Sequence, residues 1–225
     1  MKTLVFIFLS TLLFETPTIE KDRDRWKPYY TDTAPAKTAD NWFLPFDVAN
    51  RKKINNIKII SIFGDHRDSY VKGHIHTAID INPAQPKAKL INVYAMANGI
   101  VCSVHLGENQ RTVVVKHKLP SGLTMFTTYK HLKEVYVSNG QNVDQNTKLA
   151  RLFTPQESKK YGGDYHHLHL EIRKKFDDYG CASWLTFNNT QLNERFYNPQ
   201  VFIKEYIKKN KLSPFFLVEY ESARN

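Results

Sequence analysis

The chain has 225 residues, a formal net charge of +10 and a pI of about 9.4. This length accommodates one sizeable hydrophobic core with extensions, and the positive balance favours anionic partners, either a cell envelope or nucleic acid. Recognisable nucleic-acid-binding motifs are absent, so we expect no nucleic-acid partner. Two cysteines without a Cys-x-x-Cys spacing argue against a zinc site built from thiolates.

Residues 1–19 predict an export signal or an N-terminal anchor. Met1 and Lys2 provide a positive start, and the apolar stretch 4–14 is shorter than the ~20 residues that a membrane-spanning helix needs. No small-x-small cleavage site follows, so cleavage between residues 14 and 20 and retention as an anchor both remain open. In either case the pattern indicates an exported protein.

The middle of the chain predicts a domain of antiparallel strands. Residues 20–55 are polar with scattered aromatic side chains and predict an extended lead-in segment packed on that domain. Five runs of β-branched or alternating residues follow, each bounded by Gly, Pro or Asn as strands are. They cover residues 57–63, 91–106, 111–119, 123–132 and 148–153. Residues 120–122 (Pro-Ser-Gly) predict a hairpin turn between two of them.

His76 and Asp80 form the first candidate for metal binding, because imidazole and carboxylate are both zinc ligands. Four residues of extended strand span roughly 13 Å, too far for the two side chains to share one ion. The chain must therefore bend near Thr77 and Ala78, with Asp80 entering a strand. His74 offers similar chemistry, and spacing alone does not exclude it.

The second candidate is the pair His167 and His169. Strand alternation places both on one face with Glu171 and Arg173, while the apolar residues between them face the core. We expect the polar face to be a chemically competent surface. An ordinary pair of half-exposed strand histidines is the alternative. Joined to the upstream cluster, the pair provides three zinc ligands with a fourth position for water, as catalytic zinc requires.

Residues 176–225 predict a C-terminal extension with one short helix. Asn198 and Pro199 are a typical N-cap and first-turn pair, and apolar residues continue at helical spacing to Ile207. Cys102 and Cys181 could join this extension to the core through a disulfide, or remain two separate buried thiols.

Six elements in chain order resemble the M23 (LytM/lysostaphin-type) zinc metallopeptidases, which cut the peptide bridges of peptidoglycan. They are Ile62-Phe63-Gly64, His76-x-x-x-Asp80, the stretch 93–101, Tyr129-Lys130-His131-Leu132, Gly140-x-x-Val143 and His167-Leu168-His169-Leu170-Glu171. The resemblance extends from the region of Phe63 to Arg173, about half of the chain. Each element is weak evidence by itself, and their shared order makes the set specific.

The resemblance implies a mainly β fold, with a single antiparallel β-sheet or barrel-sandwich-like catalytic domain that carries a groove, over residues 56–175. It implies that Zn²⁺ is held by His76, Asp80 and His169. It also implies that His131 and His167 are catalytic without binding the metal, and which of them is the general base stays open. Alternation over residues 123–132 places Tyr129 on the same face as His131.

The family further implies an exported endopeptidase, periplasmic or secreted and associated with the cell wall. We expect a monomer, peripheral to the envelope, acting on peptidoglycan peptides. The alternative is a non-catalytic member that binds peptidoglycan or regulates other wall hydrolases. Ala78 replaces the usual Gly, and residues 154–166 replace the usual Gly/Ser/Thr-rich segment. Because that loop would border the cleft, it bears on substrate preference.

Overall fold

The structure is a computed structural model that describes residues 35–68, 71–107, 111–176 and 185–208. The described chain is mainly β, as predicted. Its strands are β1 (Ile57–Ser61), β2 (His66–Arg67), β3 (His74–Ile75), β4 (Ile79–Pro83), β5 (Asn92–Tyr94), β6 (Gly99–His105), β7 (Thr112–Lys118), β8 (Thr124–Lys130), β9 (Leu132–Val135), β10 (Asn142–Val143), β11 (Lys148–Leu152), β12 (Leu168–Arg173) and β13 (Phe196–Tyr197).

The helices are few and short. They are α1 (Pro155–Lys160), α2 (Asn189–Arg195) and α3 (Pro199–Phe202), which continues as a π-helix over Ile203–Lys208, and a 3-10 helix (Ile54–Asn56) precedes β1. None of the helices in the described ranges is long and apolar enough to cross a membrane.

One large antiparallel sheet positions the candidate residues. Its strand order is β1-β4-β12-β8-β7-β6-β10, and β13 pairs with the end of β12. Strands β5, β11 and β9 form a second sheet, and β2 pairs with β3. Strand β12 therefore lies in the middle of the main sheet, between β4 and β8, which carry other candidate residues at or next to their ends.

The lead-in and the C-terminal helix pack into the same core as the sheet. Trp42 is 1% exposed, and its ring lies 4.8 Å from that of Phe202 and 5.8 Å from that of Tyr206. These edge-on ring contacts stabilise the packing beyond what the buried apolar area contributes by itself. Asn198 caps α3 by accepting hydrogen bonds from the backbone N–H groups of Gln200 and Val201, as the sequence predicts.

The side chains of β12 alternate between two faces as predicted, but part of the polar face is buried and not exposed to solvent. Leu168, Leu170 and Ile172 are fully buried in the core. On the opposite face, Glu171 is 0% exposed and Arg173 is 1% exposed. The expected polar surface is therefore wrong for these two side chains: they form an ion pair with each other, and the Arg173 guanidinium also lies 6.0 Å from the ring centre of Phe196 on β13.

Tyr129 and His131 do not share a face, so that prediction is wrong. Tyr129 is fully buried in the core, where its hydroxyl accepts a hydrogen bond from the Met96 backbone N–H at 3.0 Å. Strand β8 ends at Lys130, and His131 adopts a φ of +62°, in the left-handed region. The alternation expected over residues 123–132 stops there, because a left-handed residue turns the chain out of the strand.

Two helices were not predicted. Thr154, Pro155 and Glu157 form a capping box with proline in the first turn, which starts α1 inside the segment expected to be a loop. The C-terminal extension contains α2 as well as α3, and so exceeds the one helix expected. The export signal over residues 1–19 and Cys181 lie outside the described residues, and Cys102 is buried on β6.

Candidate metal centre

Neighbouring strands of the main sheet bring the metal-ligand candidates together. Asp80 on β4 lies directly opposite His169 on β12 in the antiparallel register. His76 precedes β4, and the chain bends at Ala78 before the strand starts at Ile79, as the spacing predicts. Among the described residues other than glycine, only His131 has a positive φ, so the bend at Ala78 is made without the freedom that glycine would provide.

Three polar atoms form a nearly equilateral triangle at this point. His76 Nε2 lies 3.2 Å from His169 Nδ1 and 3.2 Å from Asp80 Oδ1, and His169 Nδ1 lies 3.1 Å from Asp80 Oδ1. Two ligands about 2.1 Å from a tetrahedral zinc ion are about 3.4 Å apart, which is close to these separations. The donor set therefore fits a zinc ion above the triangle, with the fourth position open.

Hydrogen bonds on the far side of each imidazole orient its lone pair toward the triangle. His76 Nδ1 lies 2.8 Å from the Ile62 carbonyl oxygen, and His169 Nε2 lies 3.2 Å from Glu171 Oε1. Because both acceptors lack a proton at neutral pH, each ring nitrogen donates, and His76 Nε2 and His169 Nδ1 carry the lone pairs. Two lone pairs and a carboxylate oxygen repel each other at this distance unless a cation lies between them.

Asp80 is ionised in this environment. Burial opposes ionisation, but when no metal cation lies in the triangle a proton on His169 or His76 faces the carboxylate, and these contacts outweigh burial and hold the pKa of Asp80 far below its ordinary value. Arg67 donates a hydrogen bond to the second carboxylate oxygen, Oδ2, at 2.6 Å, and another to Ser61 Oγ at 2.6 Å. Arg67 thus turns Oδ1 toward the triangle.

Glu171 connects the candidate centre to a buried guanidinium. Its Oε1 accepts hydrogen bonds from His169 Nε2 and, at 2.8 Å, from Thr77 Oγ1. Its Oε2 accepts hydrogen bonds from Arg173 Nε at 2.8 Å and Nη2 at 2.7 Å. Burial opposes ionisation, but Arg173 is the largest of the groups that hold the pKa of Glu171 well below its ordinary value. The carboxylate is therefore a fixed acceptor that orients His169.

His167 and His131 lie beside the triangle. His167 Nε2 is 3.5 Å from Asp80 Oδ1, and the ring centres of His131 and His167 are 5.1 Å apart. The ring of His131 also lies 5.6 Å from that of His169. Burial lowers the pKa of His167, so that its imidazole is neutral near pH 7. The structure thus brings all five predicted site residues together.

His74, the alternative ligand, faces elsewhere. Its Nδ1 accepts a hydrogen bond from the Thr186 backbone N–H at 3.1 Å, and the side chain is buried. Burial lowers the pKa of His74, so it remains a neutral imidazole bonded to the backbone. It is not a member of the cluster formed by His76, Asp80 and His169.

Two residues near the centre were missed from the sequence. Arg67 lies in a polar stretch that no predicted element covers, and its Nη2 lies 2.6 Å from Asp80 Oδ2. Tyr165 places its ring 5.2 Å from that of His131. The capping box at Thr154 is the sequence signal that could have located α1, the helix that precedes Tyr165.

The model of Peptidase family M23 matches residues 74–181, which confirms the resemblance predicted from the motifs. Among solved structures, the chain is similar to one in the SpoIIQ–SpoIIIAH pore forming complex, with 21% identity over 73% of this chain and 92% of that chain and a TM-score of 0.45. It is similar to the antimicrobial peptidase lysostaphin from Staphylococcus simulans, with 15% identity over 81% of this chain and 59% of that chain and a TM-score of 0.46. A zinc containing peptidase from Vibrio cholerae is 19% identical over 61% of this chain and 37% of that chain, with a TM-score of 0.40. Comparison with curated proteins finds no match.

Proposed function

We propose, from the match of the Peptidase family M23 model to residues 74–181, that this chain is a zinc-dependent endopeptidase that hydrolyses the cross-links or stem peptides of bacterial peptidoglycan. One observation carries the proposal. His76 Nε2, Asp80 Oδ1 and His169 Nδ1 form a triangle with sides of 3.1 to 3.2 Å, and the rings of two further histidines lie beside it. This combination supports catalysis rather than metal storage, because a purely structural site needs no additional imidazoles.

His76, Asp80 and His169 would hold the ion and leave one coordination position open. When bound at such a site, zinc supplies Lewis acidity and an acidified water. Glu171 and the Ile62 carbonyl keep both imidazoles in the tautomer that presents a lone pair to the ion. The strands β4 and β12 provide the rigid support that this geometry needs.

His167 and His131 manage protons and charge at the scissile bond. A neutral His167 can accept the proton released when water attacks the carbonyl, and return it to the leaving amine. His131 can donate a hydrogen bond to the oxygen that becomes negatively charged. The same two rings could also act in the opposite roles, with His131 as the general base and His167 as the hydrogen-bond donor. The pH–rate profiles of single variants of His131 and His167 distinguish these two assignments.

We also propose that the protein is exported and acts as a monomer at the cell wall, in the periplasm or outside the cell. The apolar stretch 4–14 and the net charge of +10, which attracts the protein to anionic envelope polymers, support this. Fractionation of cells that express the full chain tests the location, and size-exclusion chromatography tests the oligomeric state.

The activity test uses purified full-length protein and insoluble peptidoglycan. We expect release of soluble fragments that stops with a chelator and returns with added zinc, and mass spectrometry of the fragments identifies the bond. His76→Ala and His74→Ala are a matched pair of buried histidines two residues apart. We expect His76→Ala to lose both zinc and activity, while His74→Ala retains zinc.

Two results would contradict the proposal. If several types of peptidoglycan bind but are not cleaved by the zinc-loaded protein, the chain is a non-catalytic binder or regulator of other hydrolases. If His74→Ala empties the site and His76→Ala does not, the ligand set is wrong.

A further inference from the structure

Lys133 is a cation held in one place close to the candidate active site. It lies on β9, two residues after His131, and is half-buried. Its Nζ donates a hydrogen bond to Tyr161 Oη at 3.2 Å and lies 5.1 Å from the ring centre of Tyr161 and 5.4 Å from that of Phe153. Contacts with two aromatic rings and a phenol restrict the ammonium group far more than an exposed lysine.

No carboxylate of the described ranges pairs with Lys133, although two belong to the segments around it. Glu134 follows Lys133 directly in the chain, and Glu157 lies on α1, the helix that has Tyr161 as its C-cap. Both carboxylates bind Arg151 instead: Arg151 Nη2 lies 2.5 Å from Glu134 Oε1, and Arg151 Nη1 lies 2.8 Å from Glu157 Oε2. These hydrogen bonds hold the pKa of Glu157 at about 2, so it stays ionised and bound to Arg151.

The local charges balance, so a carboxylate would be recognised through direct contacts rather than through a long-range electrostatic field. Arg151 with its two carboxylates carries one negative charge, and Lys133 supplies one positive charge. What distinguishes Lys133 is that its ammonium has hydrogen-bond donors left over. One of its three N–H groups reaches Tyr161 Oη, and the Tyr161 hydroxyl keeps its own proton to donate. Two adjacent donors of this kind match the two oxygens of a carboxylate.

Aromatic rings connect Lys133 with the candidate active site. Phe153, which contacts the ammonium, lies 6.1 Å from the ring of Tyr165, and Tyr165 lies 5.2 Å from the ring of His131. Phe153 also contacts Tyr161 edge-on at 5.4 Å. We refer to Tyr161 and Tyr165, whose rings pack on the buried ring of Phe153 (1% exposed), as the aromatic wall. His131 and Lys133 are two residues apart in the chain, so their Cα atoms lie at most about 7 Å apart, the length of two residues of an extended bound peptide.

We propose that Lys133 and the Tyr161 hydroxyl form a subsite for a free carboxylate of the peptide substrate, located about one to three residues from the bond that is cleaved. The subsite rests on the proposed function, because it assumes that a peptide lies along the aromatic wall with its scissile bond at the metal centre. It makes the enzyme selective for stem peptides whose carboxyl groups are not amidated.

The experiment compares two probes with three proteins. The probes are fluorescently labelled dimeric muropeptides with all stem carboxyl groups free, and the same dimers with those groups amidated. The proteins are the wild type, Lys133→Met and the control Lys148→Met. Lys148 also lies over a tyrosine, 5.9 Å from the ring centre of Tyr136, but on β11 and away from the aromatic wall. Binding to the zinc-loaded proteins is measured by fluorescence polarisation, and cleavage by kcat/KM.

We expect the wild type and Lys148→Met to bind the free acid about fivefold to tenfold more tightly than the amide, the range for one charge-assisted contact partly open to solvent. Lys133→Met should bind both probes alike. Thermal melting confirms that each variant is folded. Equal acid-to-amide ratios in wild type and Lys133→Met would overturn the subsite, even if both proteins cleave the probes. A ratio that depends on Lys133 without any cleavage would support the subsite and refute the peptidase.

Discussion

His131 has a backbone conformation that residues with a Cβ atom disfavour, and this predicts that glycine is more stable than alanine at this position. Its φ of +62° lies in the left-handed region, which costs an L-residue with a Cβ about 1–2 kcal/mol. Glycine avoids that cost but loses about 0.5–1 kcal/mol through its greater freedom in the unfolded chain. We therefore expect His131→Gly to be more stable than His131→Ala by about 0.5–1 kcal/mol.

Comparing the two variants isolates the backbone contribution to the free energy of unfolding. Both variants remove the imidazole and its ring contacts with His167, His169 and Tyr165. The free energy of unfolding is measured by urea denaturation of the metal-free proteins, so that zinc affinity does not contribute. His131→Asn is a third variant for the same measurement. Because asparagine tolerates the left-handed region better than alanine, the free energy of unfolding of His131→Asn should lie between those of His131→Ala and His131→Gly.

Activity should respond differently from stability. All three variants lack the imidazole that we assign to catalysis, so each should lose about 10²-fold or more in kcat while keeping zinc. If His131→Gly is no more stable than His131→Ala, the left-handed conformation carries no strain and the reasoning fails. If His131→Asn retains wild-type kcat, the imidazole has no catalytic role.

Three further predictions concern other buried groups. The pKa of His117 is lowered to about 4 by burial, so the unfolded chain takes up a proton at higher pH than the folded protein. Stability should therefore fall by about 3 kcal/mol between pH 6.5 and 4, and urea denaturation of His117→Gln should show a smaller loss over that range. Glu171→Gln should weaken zinc binding by about 10–100-fold in a competition assay with a chelating dye, because His169 loses its charged acceptor; unchanged affinity would refute its role. Trp42→Ala should lower the free energy of unfolding by about 3–5 kcal/mol, because Trp42 joins the lead-in to the C-terminal helix, and a loss below 1 kcal/mol would show that this contact is not part of the core.

Local patterns in the sequence account for the strands and for the identity of the candidate ligands. Alternation predicts which side of β12 faces the core, because side-chain direction in a strand depends only on position along it. The spacing of His76 and Asp80 predicts a bend, because an extended chain would separate them. The Asn198–Pro199 pair predicts the start of α3 for a similar local reason, since a cap satisfies backbone groups within one turn.

Other features depend on contacts between distant parts of the chain. The register that places His169 opposite Asp80 depends on the order of strands in the sheet, and the environment of the buried Glu171 carboxylate depends on its contacts with Thr77 and Arg173. The left-handed turn at His131 and the aromatic contacts of Lys133 arise where β8 ends and α1 packs nearby. The sequence by itself determined which residues are chemically able to bind a metal and which side of a strand they occupy. Only the tertiary structure decided that they meet, because the distance between two segments is set by strand pairing and packing over the whole domain.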